Sequence, residues 1–501
     1  MNRKQGSHGG KGLKKAAFSA VTWTTLDMFG RQAIHFVISV ILARILAPED
    51  FGIIAIMMVF IALADTFVDS GLSAALTQKP NVTAQDENTM FHLNVVMAIL
   101  LYGAVWVAAP HIAHFYNLPA LTLLLRIFAL DLVIRSFYLI QTTLFRKRLD
   151  FRPIFLSALI ALPISGGLGV FLAYRGFGVW SLVVQQLVNS AVSLLNYWLM
   201  SNWRPKLIFS TQSFRALTGY GSRQLAVGLL DTFFQNIYQL IIGKLFAPAA
   251  LGFYSRALNT QKLVSNNLTQ IVNRVAFPLL CAAQGDTARL HRAASGLLSV
   301  MAMVVFPCMA GMMVVAEPLV DTLLTSKWLP CVPYLQLLCI VGILTPFHVI
   351  NVNLMRATAK MDIFLKLEIL KKGLIVVAIL LTYRWGIIAM IWGQIAVSVV
   401  NYFLNAHFGG RPIGYSWLRQ LKDVAPYGGV TLAMAGAAAA AGLIPTGSPL
   451  VRLIAQTCAG AVVYVACCHL FGLREYHEVR SWGMRHIKNL RVKAGWAVAQ
   501  D

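Results

Sequence analysis

Residues 43–52 read ARILAPEDFG, and residues 243–252 read GKLFAPAALG. Pro48 and Pro248 stand 200 positions apart, and each copy closes one apolar run and opens the next. Pro and Gly are the natural punctuation at such a junction. The similarity continues downstream. Phe137, Gln141, Leu144 and Arg146 correspond to Phe347, Asn351, Leu354 and Arg356, each at an offset of 210. Tyr174 and Arg175 correspond to Tyr383 and Arg384, and the stretch Ser193–Leu199 corresponds to Ser398–Leu404. The chain is therefore internally duplicated, and a duplication of this length governs the whole architecture.

The apolar runs define the unit that is duplicated. Fourteen candidate spans lie at 17–45, 51–77, 88–110, 120–145, 153–174, 178–200, 219–246, 251–280, 293–320, 332–354, 363–383, 386–406, 425–444 and 449–471. Runs of about 20 residues suit membrane helices, whereas a β-barrel would show alternating segments of about 10. Spans 1, 4, 5 and 6 match spans 7, 10, 11 and 12. An even number of spans per repeat makes the two copies parallel, an arrangement typical of bundles that rock about a central site. The expected fold is all-α and polytopic, with two pseudo-symmetric six-helix lobes and two additional C-terminal helices. The expected organisation is a basic N-terminus (1–16), an N-lobe (17–200), a linker (201–218), a C-lobe (219–406), spans 13 and 14 (425–471) and a basic tail (472–501).

Composition excludes most other classes. Of the 501 residues 58% are apolar and 12% charged, and the mean hydropathy is +0.67. A soluble domain carries about 45–50% and about 25%. The net charge of +23 would suggest nucleic acid in a soluble protein. Here its distribution points to topology instead. With the N-terminus in the cytoplasm and cations at span ends (Arg44, Lys244, Lys366) counted with the adjoining segment, 27 of the 42 Lys and Arg residues fall on cytoplasmic segments, 5 on outer connections and 10 within spans. That asymmetry places both termini in the cytoplasm and sets the basic tail against anionic lipid. The seven cysteines form no C-x-x-C motif and read as small apolar filler. His111 and His114 lack a third ligand, so no metal site is expected, and no cofactor motif is present.

Ionisable residues inside spans are costly, about 2.5–3.5 kcal/mol each on insertion scales, and each needs a reason. Asp27 and Arg31 in span 1, and Asp131 and Arg135 in span 4, are one turn apart and able to pair within their helices. Asp65 and Asp69 in span 2 have no base in their helix, and Asp231 in span 7 is a further acid. These three are candidates for binding a coupling proton or sodium ion, or for neutralising the cations of span 8. Span 8 carries Arg256, Asn259, Lys262, Asn266, Gln270 and Arg274 without an acid. Most of these fall on one polar stripe, which cannot face lipid. Gln235 lies on a similar stripe of span 7. A cavity of amides and guanidinium groups suits a hydroxylated, anionic ligand, because Arg binds phosphate or carboxylate through a planar fork. Arg31 and Arg256 are the expected grips on its head group. The sparser stripes of span 6 (Gln186, Asn189, Ser193, Asn196) and span 12 (Gln394, Ser398, Asn401, Asn405) read as glue between helices.

The stretches LARILAPEDFGIIA (42–55), LFRKRLDF (144–151) and RGFGVWSLV (175–183) resemble the polysaccharide transporter family of the multidrug/oligosaccharidyl-lipid/polysaccharide exporter superfamily. The resemblance extends over nearly the whole chain and is greatest to bacterial O-antigen and colanic-acid-type exporters. It implies an inner-membrane flippase, not an enzyme, moving undecaprenyl-pyrophosphate-linked oligosaccharide units by alternating access. It implies a lipid-linked oligosaccharide as partner, contact with polysaccharide polymerase or assembly machinery, and a monomer. Met28–Arg31 also resembles lipid-linked peptidoglycan-precursor flippases, which implies a pyrophosphate contact for Arg31. A small-molecule exporter of the same superfamily and a membrane glycosyltransferase or ligase are the alternatives.

The topology is open to test. Reporter fusions after Ala47 and Leu118 should read outside, and those after Asp150 and Ala494 inside; a cytoplasmic signal at Leu118 would overturn the span count.

Overall fold

The computed structural model describes residues 23, 29–69, 71–357, 361–445, 447–478 and 480–481. Among them the regular elements are all helices. They are α1 (29–45), α2 (Pro48–Asp69), α3 (Leu72–Gln78), α4 (Ala84–Tyr116), α5 (Leu121–Phe128), α6 (Leu130–Lys147), α7 (Arg152–Tyr174), α8 (Val179–Met200) and α9 (Thr211–Leu245). They continue with α10 (Pro248–Ala282), α11 (Thr287–Val314), α12 (Ala316–Leu324), α13 (Val332–Ala357), α14 (Met361–Thr382), α15 (Ile387–Gly410), α16 (Trp417–Gly442) and α17 (Pro449–Leu470). Nine helical segments among the described residues are long and apolar enough to cross a membrane. They account for spans 2, 3, 5, 7, 9, 10, 12, 13 and 14. Spans 4, 6, 8 and 11 are helical as α5–α6, α8, α10 and α14, and they carry the amides and charges. Asp27 and the basic tail from residue 482 lie outside the described residues.

The chain divides into two compact units, Met1–Ser255 and Arg256–Asp501, with the division inside α10. The segment 201–218, expected between the lobes, belongs to the first unit. Its backbone is tied to the start of α4: Lys206 N donates to Asn88 Oδ1 (2.5 Å), and Ser210 N donates to Thr89 Oγ1 (3.1 Å). Beyond it, α9 runs along α2, where the hydroxyls of Thr66 and Thr232 are 3.1 Å apart.

The repeat is visible in which helices pack together. In the first unit α6 packs on α4 and α8, and α8 packs on α7. In the second unit α13 packs on α11 and α15, and α15 packs on α14. The two duplicated segments thus bury equivalent faces against equivalent neighbours.

The motifs that repeat have direct backbone reasons. Gly176 and Gly178 take φ of 83° and 52° in the turn from α7 to α8, a region that L side chains rarely adopt. A Cβ on Gly178 would also lie 3.2 Å from the Asp50 carboxylate, so the α7–α8 turn meets the start of α2 here. Gly52 and Gly252 meet reciprocally. A Cβ on Gly52 would collide with the carbonyl of Pro248, and one on Gly252 with the carbonyl of Pro48. Duplicated residues therefore form one close crossing of α2 with the start of α10. A backbone carbonyl cannot rotate away as a side chain can. Gly52→Ala and Gly252→Ala should each destabilise by about 1–3 kcal/mol through overpacking. Gly103→Ala, with nothing within 4 Å of its Cβ, should leave the detergent-solubilised melting temperature unchanged. Equal melting of all three variants would contradict the crossing.

Candidate functional site

Span 4 is broken at Ala129, which separates α5 from α6. The break brings Asp131 and Arg135 into the first turns of a new helix, facing α2 and α8. Asp131 is shielded, with 1% of its side chain exposed, whereas Arg135 is 42% exposed. The hydroxyl of Ser190 donates to one Asp131 oxygen, and Gln186 Nε2 donates to the other at 3.2 Å. Arg135 lies 3.8 Å from Asp131 and forms a closer ion pair with Asp65 of α2. One guanidinium is thus shared by two carboxylates from two helices, and α8 completes the shell of the inner one.

This cluster forms part of the wall of a cavity of about 640 Å³ within the first unit. Arg31, Arg135 and Arg146 supply three guanidinium groups, and Asp65 and Asp69 two carboxylates. Thr66, Ser136, Thr142, Asn189, Ser193 and Gln224 also line it, together with apolar residues such as Val68, Leu139 and Leu162. Asp69 also caps the following turn, accepting from Ser73 N at 3.2 Å. Such a lining can bind an anion through charge-assisted hydrogen bonds and hydroxylated groups through amides.

Of the residues singled out in the sequence, Arg31, Asp65 and Asp69 come together here. Two expectations change. The pair of Asp131 with Arg135 is not self-contained, because Arg135 prefers Asp65; the acid of span 2 thereby gains the base its own helix lacks. The polar residues of span 6 serve the cavity and the Asp131 shell instead of only joining helices. In the second unit the matching stripe does join helices: Ser398 of α15 bonds His348 Nε2 of α13 at 3.1 Å. Arg135 and Arg146 were missed as site residues, although the i,i+4,i+7 stripe of Gln186, Ser190 and Ser193 signalled the facing wall.

The remaining sequence candidates lie elsewhere. Asp231 of α9 is half-buried and Gln235 exposed, outside the cavity lining. The first turns of α10 are almost wholly buried from Leu251 to Leu258. Arg256 is only 9% exposed, with its guanidinium 6.0 Å from the ring centre of Trp328. It therefore belongs to a packed core and not to an open polar wall, because the apolar turn around it closes over the stem. The exposed polar face of α10 starts one turn later, with Asn259, Asn266 and Gln270, and Lys262 is half-buried beside it. The side chain of Arg274 lies outside the described residues.

A profile described as polysaccharide biosynthesis protein matches residues 41–333. The chain belongs to the polysaccharide biosynthesis protein family. It is 28% identical over 411 residues to the lipopolysaccharide biosynthesis protein WzxC of Escherichia coli K12, covering 81% of this chain and 84% of that one. It is 27% identical to the succinoglycan biosynthesis transport protein ExoT of Rhizobium meliloti, over 65% of this chain and 66% of that one. Among solved structures, the lipid II flippase MurJ in an inward closed conformation superposes with a TM-score of 0.72 at 14% identity, covering 90% of this chain and 98% of that one. At that identity the likeness establishes the fold alone. In a protein of this family and fold, a charged cavity within a membrane-spanning unit is the natural candidate for a transport site.

The shared guanidinium predicts a specific pattern of stability. Arg135→Gln strands Asp131 in a buried position and should cost about 3 kcal/mol, seen as a lower melting temperature in detergent. Adding Asp131→Asn should restore most of it, because the uncompensated charge is gone. A double variant no more stable than Arg135→Gln alone would show that the carboxylate is not what Arg135 balances.

Proposed function

We propose that this protein is a flippase that moves an undecaprenyl-pyrophosphate-linked oligosaccharide repeat unit across the bacterial inner membrane, by alternating access, for polysaccharide assembly. The observation that carries the reading is the cavity with three guanidinium groups set among hydroxyls and amides. A pyrophosphate needs dense, planar donors, and sugar hydroxyls need amides and hydroxyls. The names of the relatives, which include a biosynthesis transport protein, point the same way.

In this proposal Arg31 and Arg135 hold the head group, and Arg146 assists from the same wall. The exposed face of α10, with Asn259, Asn266 and Gln270, offers hydrogen bonds to sugar, with Lys262 and Arg274 adding charge. Arg256 has no part in it, being enclosed against Trp328. An anion arriving at Arg135 competes with Asp65 for the same guanidinium. Once displaced, Asp65 loses its counter-charge, which would link head-group binding to the uptake of a coupling cation. Asp69, in the same lining, is the second coupling candidate, and Asp231 a remote third. Both termini face the cytoplasm, where the basic tail meets anionic lipid and polymerase or assembly components have access. The two six-helix repeats, 17–200 and 219–406, act as the moving lobes.

Deletion of the gene is the decisive experiment. Complete lipid-linked units should accumulate on the cytoplasmic side. Incomplete units would indicate a glycosyltransferase, and unchanged glycan with altered drug tolerance would indicate a small-molecule exporter.

Coupling has its own test. Asp65→Asn should lower transport about tenfold or more and abolish the response to an imposed proton gradient. Retention of full gradient dependence in both Asp65→Asn and Asp69→Asn would remove these carboxylates from the coupling role.

A further inference from the structure

A second cavity, of about 770 Å³, lies wholly in the second unit. It is bounded by the first turns of α11, the first turns of α16 and the residues that follow α17. Its lining includes four cations, Arg292, Arg419, Lys422 and Arg474, and apolar residues that include Leu279, Leu297 and Val300. It also includes three acids, and each is already engaged by another donor. Asp423 accepts from Ser295 Oγ at 2.6 Å and from the Tyr415 hydroxyl at 2.7 Å. Glu475 accepts from the Tyr427 hydroxyl, and Glu478 pairs with Arg474 at 2.9 Å. Among the described residues no carboxylate lies within the 4.0 Å of an ion pair from Arg292, Arg419 or Lys422. Arg419 reaches only a backbone oxygen, that of Gly414 at 3.0 Å.

Arg292, Arg419 and Lys422 are like charges around one cavity and repel each other, while the acids of the lining accept from hydroxyls or from Arg474. A solvated basic rim would account for scattered cations, which the orientation rule favours on one side of a membrane. It does not account for their convergence on a hollow that also presents the aliphatic side chains of Leu279, Leu297 and Val300. The surrounding surface is apolar as well: Leu279, Leu418 and Leu421 are 45%, 53% and 40% exposed. Cations beside exposed aliphatic residues mark the level where a bilayer's head groups meet its chains.

We propose that this cavity is a binding site for one anionic phospholipid. Its phosphodiester sits among Arg292, Arg419 and Lys422, and its acyl chains lie along Leu279, Leu297 and Val300. Arg forks suit phosphate oxygens, and basic pockets between membrane helices are a recurrent setting for lipid head groups. A soluble phosphate would use the cations and leave the aliphatic wall uncovered. Such a lipid would bridge α11 to α16 and to the segment after α17, adding to the Ser295–Asp423 and Tyr427–Glu475 bonds at this end. The site lies outside the cavity of the first unit and does not depend on which substrate that cavity takes.

The test is a titration of the purified full chain in detergent, read by melting temperature and by native mass spectrometry. Phosphatidylglycerol should raise the melting temperature saturably and leave one lipid bound. Phosphatidylcholine and water-soluble glycerol phosphate should do neither. Arg292→Gln/Arg419→Gln/Lys422→Gln should raise the half-saturating lipid concentration roughly tenfold or more, each cation contributing on the order of a kcal/mol near a lipid surface. If that triple variant does not accumulate, Lys422→Gln alone serves, with a smaller shift in the same direction. An unchanged titration in whichever variant folds, or an equal response to phosphatidylcholine, overturns the site. An equal response to glycerol phosphate overturns the lipid in favour of a soluble phosphate.

Discussion

A guanidinium shared between two carboxylates holds the first unit together at its most polar point. Arg135 cannot stand alone in a membrane interior, and neither can Asp131 or Asp65. Each is made tolerable by the others, so α2, α6 and α8 must approach at this level or none of the three charges is affordable. The amides and hydroxyls that complete the shell, Gln186 and Ser190, then face inward as well. A polar cavity follows from that necessity. The cluster also keeps reactive capacity. Asp131 is enclosed, while Asp65 and Arg135 retain exposed surface and face the hollow.

The second constraint is steric. Gly52 and Gly252 permit the backbones of α2 and α10 to touch at the carbonyls of Pro248 and Pro48. Because the two halves of this contact are copies of one motif, duplication makes it self-complementary, as in a two-fold interface. The remainder of the duplicated chain keeps its neighbour pattern while its chemistry diverges. The helix that lines a cavity in the first unit, α8, has a counterpart, α15, whose serine bonds a histidine in the packed interior. Duplication preserved packing, which depends on shape at many positions, and released the few polar positions to differ.

The helical class, the spans and the repeat were legible because bilayer thickness and helical rise impose a length that apolar runs record directly. The punctuation at Pro48 and Pro248 was legible for a similar local reason. The polar faces of span 8 and span 6 were visible as three- and four-residue steps, although the role of span 6 was not. Arg31, Asp65 and Asp69 stood out because a charge in an apolar run is conspicuous wherever it points.

What the residues alone determined, then, is what must be paired or hidden: which segments cross the membrane, and which side chains cannot face lipid. Which partner each one finds was decided by the tertiary structure. Helical spacing favoured Asp131 for Arg135, yet Asp65, 70 positions away, is closer, since α2 packs against α6. Arg256 looked like a cavity residue on a helical wheel and is buried beside Trp328, which a 3-10 turn more than 70 positions later brings to it. Periodicity records the face on which a side chain lies. It holds no record of what that face meets, because long-range approach depends on the packing of every intervening helix.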